Sequence, residues 1–120
     1  MTPKSFLFVN RKAPQGSAHA AEMLDAALIA ASFDQHVHLA FLDDGVFQLV
    51  GGQRPELLGQ RDLGTAFSEL GEYDIDHIWV ERDSLSERGL SEADLTIPVT
   101  LVDRAALAAL MARIDVVISA

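Results

Sequence analysis

Several groups of side chains in this sequence are of types that do chemistry. Asp43 and Asp44 follow an apolar run, and a carboxylate pair can chelate Mg²⁺ or serve as general acid and base. Adjacent residues point different ways, however, and Gly45 comes next, so a turn with Gly45 at positive φ accounts for the same residues. His36 and His38 are spaced to share one face of a strand, a ligand pair with no evident third partner, while His19 and His77 stand apart. The stretch from Asn10 to Ser17 carries Arg11 and Lys12 ahead of a helical pattern, as a phosphate loop would. Its single glycine, Gly16, fits neither GxxxxGK(S/T) nor GxGxxG, so an ordinary strand-to-helix loop competes with phosphate binding. Glu81 closes an apolar run and is a further acid/base candidate. No serine sits in a GxSxG elbow.

Cysteine is absent from all 120 residues. That removes disulfides, thiolate nucleophiles, redox pairs and cysteine-containing zinc sites. Nine Lys+Arg against eighteen Asp+Glu give a net charge of −9, so the surface should repel a phosphate backbone and direct nucleic-acid binding is not expected. Hydrophobic residues make up 49 %, enough for a packed core, and the length suits one domain over 1–120. The apolar stretch Phe6 to Val9 is too short for a signal peptide or a membrane span, so a cytoplasmic protein with no membrane association is expected.

The elements that must position these groups follow from periodicity. Ser5 to Val9 reads as a strand buried on both faces, Val37 to Leu42 as a second, His77 to Glu81 as a third, Thr96 to Val102 as a fourth and Val116 to Ser119 as a fifth. Pro98 removes a ladder donor, which favours a strand end or a sheet edge. Ser17 can cap a helix over Ala18 to Ser32, Asp62 to Leu70 reads as a helix with Gly71 at C′, and Asp103 caps a helix running to about Arg113. Ser84 to Arg88 is a short helical turn closed by Gly89, and Ser91 to Asp94 forms another. Strands alternating with helices imply βαβ crossovers: a three-layer α/β/α domain of flavodoxin-like size with a five-stranded, mostly parallel sheet. Ligands of such sheets sit beyond the strands' carboxyl ends, which singles out Asn10 to Gly16, Asp43 to Phe47, Glu81 to Ser84 and the loop at Asp103.

Apolar residues where water is expected give a different signal. Val46 to Val50 follows a turn directly, and the first helix is apolar well around its circumference. Burial against another chain would explain both and makes Met23, Ala27, Ala30, Asp44, Gly45, Val46, Phe47 and Leu49 candidate interface residues. The alternative is a short helix folding back on the chain's own core.

Several blocks, in order, carry a resemblance: Phe6-Leu7-Phe8-Val9, Ala13 to Ala18, Glu22-Met23-Leu24-Asp25, Asp44-Gly45-Val46-Phe47-Gln48-Leu49, Gly51 with Gln53 and Pro55, Leu70 to Ile75, and Ser84 to Leu90. Together they resemble the TusC/DsrF branch of the DsrE/DsrF/DsrH sulfur-relay family. The resemblance implies a subunit that joins TusB-like and TusD-like siblings in a heterohexamer, needs no cofactor or metal, and supports persulfide transfer through a TusE-like acceptor toward 2-thiouridine at the tRNA wobble position. The related DsrEFH complex serves sulfur oxidation. In the sulfur-carrying sibling the relay cysteine ends the third strand, before a turn finishing in Arg-Gly; counted back from Arg88-Gly89, its counterpart here is Glu81. A carboxylate cannot form a persulfide, so the chain is expected to be a non-catalytic accessory subunit, able to form homo-oligomers when isolated. A small-molecule or nucleotide-binding module using Asn10 to Ser17 and Asp43 to Gly45, and an acid/base enzyme using Asp43, Asp44 or Glu81, are the competing readings.

Overall fold

The computed structural model describes residues 3–13, 19–50, 70–73, 75 and 77–119, with the backbone alone at His19. Strand β1, Ser5–Asn10, occupies the interior of the sheet because Leu7, Phe8 and Val9 offer apolar side chains to both faces. On one side it pairs in parallel with β2, His36–Phe41, so that Phe8 stands opposite Leu39 and Asn10 opposite Phe41. On the other side it pairs with β5, Val116–Ser119. Strand β3, His77–Glu81, joins β2, and β4, Thr100–Val102, joins β3; all pairs are parallel and the order is β4-β3-β2-β1-β5.

Period-two alternation divides the apolar residues between two cores. Phe8, Val37, Leu39, Phe41, Ile78 and Val80 meet helix α1 (His19–Ser32), Val46 and Leu49, and Leu85 of the short helix α2 (Arg82–Glu87). Leu7, Val9 and Ala40 turn the other way, onto Leu107 and Leu110 of α3 (Arg104–Arg113), with Trp79 at the margin. The layering follows from right-handed crossovers. Steps from β1 to β4 all move toward the same edge, with α1, Val46 and Leu49 and α2 on one face, whereas the return from β4 to β5 carries α3 across the other. Each fully buried Leu or Phe contributes roughly 1.5–3 kcal/mol of hydrophobic stabilisation. α3 starts where expected: Asp103 Oδ1 accepts from the backbone N–H of Ala106 at 2.7 Å.

The three-layer parallel domain stands as expected, with local corrections. Relative to the flavodoxin order, the direction of winding reverses at the edge, between β1 and β5. The fourth strand does not begin at Thr96: that residue's N–H and hydroxyl both bond the carbonyl of Leu49, at 2.8 and 3.1 Å, so the chain joins the sheet only past Pro98, at Thr100. Asp43–Leu49 is a 3₁₀ helix on the chain's own core, the alternative to an interface segment. Its left-handed residue is Asp43, at φ 52°, not Gly45. Glycine is required at 45 for another reason: a Cβ there would lie 1.9 Å from the carbonyl oxygen of Asn10. Gly71 lies inside a 3₁₀ turn, Leu70–Tyr73, rather than past a helix end. Ser17 and the helix expected over Asp62 to Leu70, apart from Leu70 itself, lie outside the described residues. No helix among the described residues is long and apolar enough to cross a membrane.

Candidate functional site

The carboxyl ends of β1, β2 and β3 converge on one edge, and the carboxylates singled out from the sequence gather there. Asp43 follows β2 and pairs with Arg11 beyond β1, Nε to Oδ2 at 3.0 Å. Asp44 pairs with Arg88, at 3.1 Å. Glu81 ends β3 and is 2 % exposed, a burial that an unpaired carboxylate would not tolerate. Its Oε1 accepts from Arg104 Nη2 at 2.9 Å and from Ser84 Oγ at 2.8 Å, and its Oε2 accepts from Arg104 Nε at 3.3 Å. Ser84 Oγ in turn accepts the backbone N–H of Asp43 at 2.8 Å, tying the third strand's end to the second's. Arg104, 62 % exposed, also reaches Glu87 at 3.4 Å.

The electrostatics follow from these contacts. Hydrogen bonds from Arg104 hold the Glu81 carboxyl below its ordinary range; burial acts the other way, and the Ser84 hydroxyl and the charges of Arg104 and Arg11 reinforce the lowering. Glu81 in return raises the pKa of Arg104. A carboxylate so fixed stays ionised at neutral pH and makes a poor general acid, while a general base needs a pKa nearer the working pH. Each of the three carboxylates proposed for acid/base work is thus matched to an arginine.

The phosphate-loop candidate is committed in a similar way. The Asn10 amide turns back to the carbonyls of Phe8 and Ala40, at 3.2 and 3.3 Å, and Arg11 is held by Asp43. Gln48 Nε2 donates to the Lys12 carbonyl at 2.8 Å, while its buried Oε1 has no hydrogen-bond partner. Pro14 to Ser17 lie outside the described residues. His36, His38 and His77 stand at the opposite, amino-terminal edge. There the His38 and His77 rings stack at 4.5 Å, and Trp79 Nε1 donates to His38 Nδ1 at 3.1 Å. Among the described residues no group of three or more His, Asp and Glu is placed to hold a metal ion.

Of the candidate interface residues, Met23, Ala27, Gly45, Val46 and Leu49 are buried within the single chain and present almost no side-chain surface to a partner. Their apolar character is explained by the domain's own core. Ala30 and Phe47 are half-buried and Asp44 is exposed. Sequence reading singled out the stretch from Glu81 to Ser84 and the loop at Asp103 but did not name Ser84 or Arg104 as partners of Glu81. Ser84 had a signal, because three residues on from Glu81 across a short helix lies within side-chain reach. Arg104 follows β4, so its place becomes visible only once β4 is known to neighbour β3.

A parallel α/β domain whose carboxyl edge is closed by arginine–carboxylate pairs and which lacks any thiol is the class that fold and site define. The chain belongs to the DsrE/DsrF-like family, whose model matches residues 4–120. It is 41 % identical over 116 residues to a Pseudomonas aeruginosa protein named "Protein TusC homolog", covering 97 % of this chain and 98 % of that one. It is 47 % identical over 92 residues to "Intracellular sulfur oxidation protein DsrF" of Allochromatium vinosum, covering 77 % and 68 % respectively. The crystal structure of the ychN protein from E. coli superposes with a TM-score of 0.83 over 98 % of this chain and 99 % of that one; at 19 % identity the likeness is one of fold.

Proposed function

We propose that this chain is a non-catalytic, cysteine-free subunit of a TusBCD-like sulfur-relay complex, supporting persulfide transfer for 2-thiouridine at the tRNA wobble position. The observation that carries the reading is Glu81. At the strand end where the resemblance puts a relay cysteine in the sulfur-carrying sibling, this chain has a buried carboxylate locked by Arg104 and Ser84. Such a side chain fastens strands and cannot carry sulfur. The chain then acts by assembling with TusB-like and TusD-like siblings and by shaping the site where a sibling thiol passes sulfur to a TusE-like acceptor. Phe47, Asp44 and Ala30, the candidate interface residues that retain surface, are where contact is expected. The 47 % identity to an intracellular sulfur oxidation protein supports a second reading, a DsrF-like subunit of a DsrEFH complex.

The test is reconstitution with the two sibling subunits and ³⁵S-labelled persulfide donor. Leaving this chain out should abolish assembly or slow transfer to the acceptor, while the chain itself never acquires label. Transfer at the full rate without it, or label on it, refutes the proposal. Deleting its gene separates the two pathways: loss of wobble 2-thiouridine supports the first, loss of growth on reduced sulfur with intact tRNA the second. A Phe47→Asp substitution should weaken assembly while leaving the isolated fold intact, and unchanged elution of the mixed complex would move the interface elsewhere.

A further inference from the structure

The face of the sheet that α3 covers carries polar aromatic rings toward its amino-terminal end. Period-two alternation puts His38 on that face with Ala40, and His77 with Trp79, and the strand register sets His38 opposite His77. The two imidazoles stack at 4.5 Å with 16° between their planes. The Trp79 ring lies nearly parallel to both, 6.2 Å from His38 and 6.3 Å from His77.

Within this group the Trp79 indole N–H donates to His38 Nδ1 at 3.1 Å. An indole nitrogen can only donate, so Nδ1 is the unprotonated nitrogen of the ring and a neutral His38 carries its proton on Nε2. A further proton on the ring can go only to Nδ1. There it removes the acceptor and sets one N–H against another. A proton on each imidazole would also bring like charges together across the stack. Trp79 is half-buried at the margin of the core formed by Leu7, Val9, Ala40, Leu107 and Leu110, so its indole can shift without unpacking that core's centre.

We propose that His38 and Trp79 form a pH-responsive latch: neutral His38 holds the indole against the margin of the second core, and protonation of His38 releases it. Histidine ordinarily titrates between about pH 5 and 8, a range in which Glu81 at the opposite edge stays ionised. Asp34, His36, Tyr73 and His77 line one cavity with His38. At the foot of β1 stand Lys4, whose carbonyl accepts the N–H of His36, and Asp115, held by Ser5; Arg113 lies in the last turn of α3. Asp74 and Asp76 precede β3 in the sequence, outside the described residues. Such charges set the pH at which His38 titrates, while the latch depends only on an unprotonated Nδ1 to accept the indole. It operates whether or not the chain belongs to a sulfur relay.

Trp79 is the only tryptophan in the sequence, so its fluorescence and its indole N–H resonance report on the latch directly. In the full chain, acrylamide quenching should be about twofold stronger at about pH 5.5 than at about pH 8, with far-UV circular dichroism unchanged. In ¹H–¹⁵N spectra the indole N–H should move toward the position of an unbonded indole with the same midpoint as the His38 Nδ1 resonance. His38→Gln and His38→Phe cannot take the proton and should abolish the step, whereas His77→Gln leaves the acceptor in place and should retain it. An indole signal that stays flat while His38 titrates, a step that survives in His38→Gln, or one that vanishes in His77→Gln overturns the proposal. So does a His38 that stays neutral throughout the range. A step accompanied by loss of the far-UV signal also overturns it, because acid would then be unfolding the domain.

Discussion

Replacing Glu81 by glutamine tests whether the carboxyl edge is held by charge or merely by shape. The substitution keeps volume and a carbonyl able to accept the Ser84 hydroxyl, but it removes the negative charge and sets an NH₂ group against guanidinium donors. Two contacts from Arg104, at 2.9 and 3.3 Å, are weakened or lost. Hydrogen bonds to charged groups contribute about 1.5–3 kcal/mol each, but Arg104 is solvent-exposed and screening discounts the two contacts together to the worth of about one: a loss of about 2 kcal/mol at pH 7. Urea unfolding measures it as a shift in midpoint at constant slope. The sign of the pH dependence is fixed by the lowered pKa of Glu81 in the folded state. Its contribution is fully present above the unfolded value of 4.5 and is lost as pH falls through the folded value. The gap between wild type and Glu81→Gln should therefore be constant from pH 7 to about 5 and close below that. Arg104→Met strands the carboxylate, leaving burial opposed chiefly by Ser84, and its destabilisation should also shrink with acid as the carboxyl protonates. A gap for Glu81→Gln that stays flat down to pH 3, or no gap at neutral pH, would refute the reasoning.

Gly45→Ala should destabilise by about 3 kcal/mol or more, because its Cβ meets backbone at Asn10 and not a movable side chain, whereas Gly71→Ala, with open space around it, should be close to neutral; parallel thermal melts compare them. Ser84→Ala removes the donor to Glu81 and the acceptor for the Asp43 N–H, so about 2–3 kcal/mol should be lost, together with protection of the Asp43 amide in hydrogen exchange. Asp103→Ala removes the cap of α3 and should cost about 1 kcal/mol; Asp103→Ser should restore most of it in the same urea assay.

Local signals carried the strands with distinct ends. His77–Glu81 was legible because an apolar run lies between acidic residues and a helix-forming turn, and Val116–Ser119 because β-branched residues follow a helix end. Thr96 to Val99 has the same apolar look, but two hydrogen bonds to Leu49 hold Thr96 outside the sheet, and that partner lies 47 residues away. Val46 and Leu49 are three apart, the repeat of a 3₁₀ helix, so their common inward face was readable, although the sequence alone left burial against a partner and burial on the chain's own core both open. Gly45 shows the opposite case. The residue type was informative, but its cause is the approach of the Asn10 carbonyl, which exists only once β1 and β2 are paired. The family, by contrast, was legible from ordered blocks of sequence that carry no geometric meaning singly.

Three arginines are gathered at one edge of the sheet. Arg11, Arg88 and Arg104 are spent at the carboxyl edge, each against a carboxylate, although an open α/β sheet ordinarily receives its ligand there. Ion pairs that neutralise this edge make a rigid joint between strand ends, and the subunit proposed above to support a sibling's reactive thiol would need such a joint.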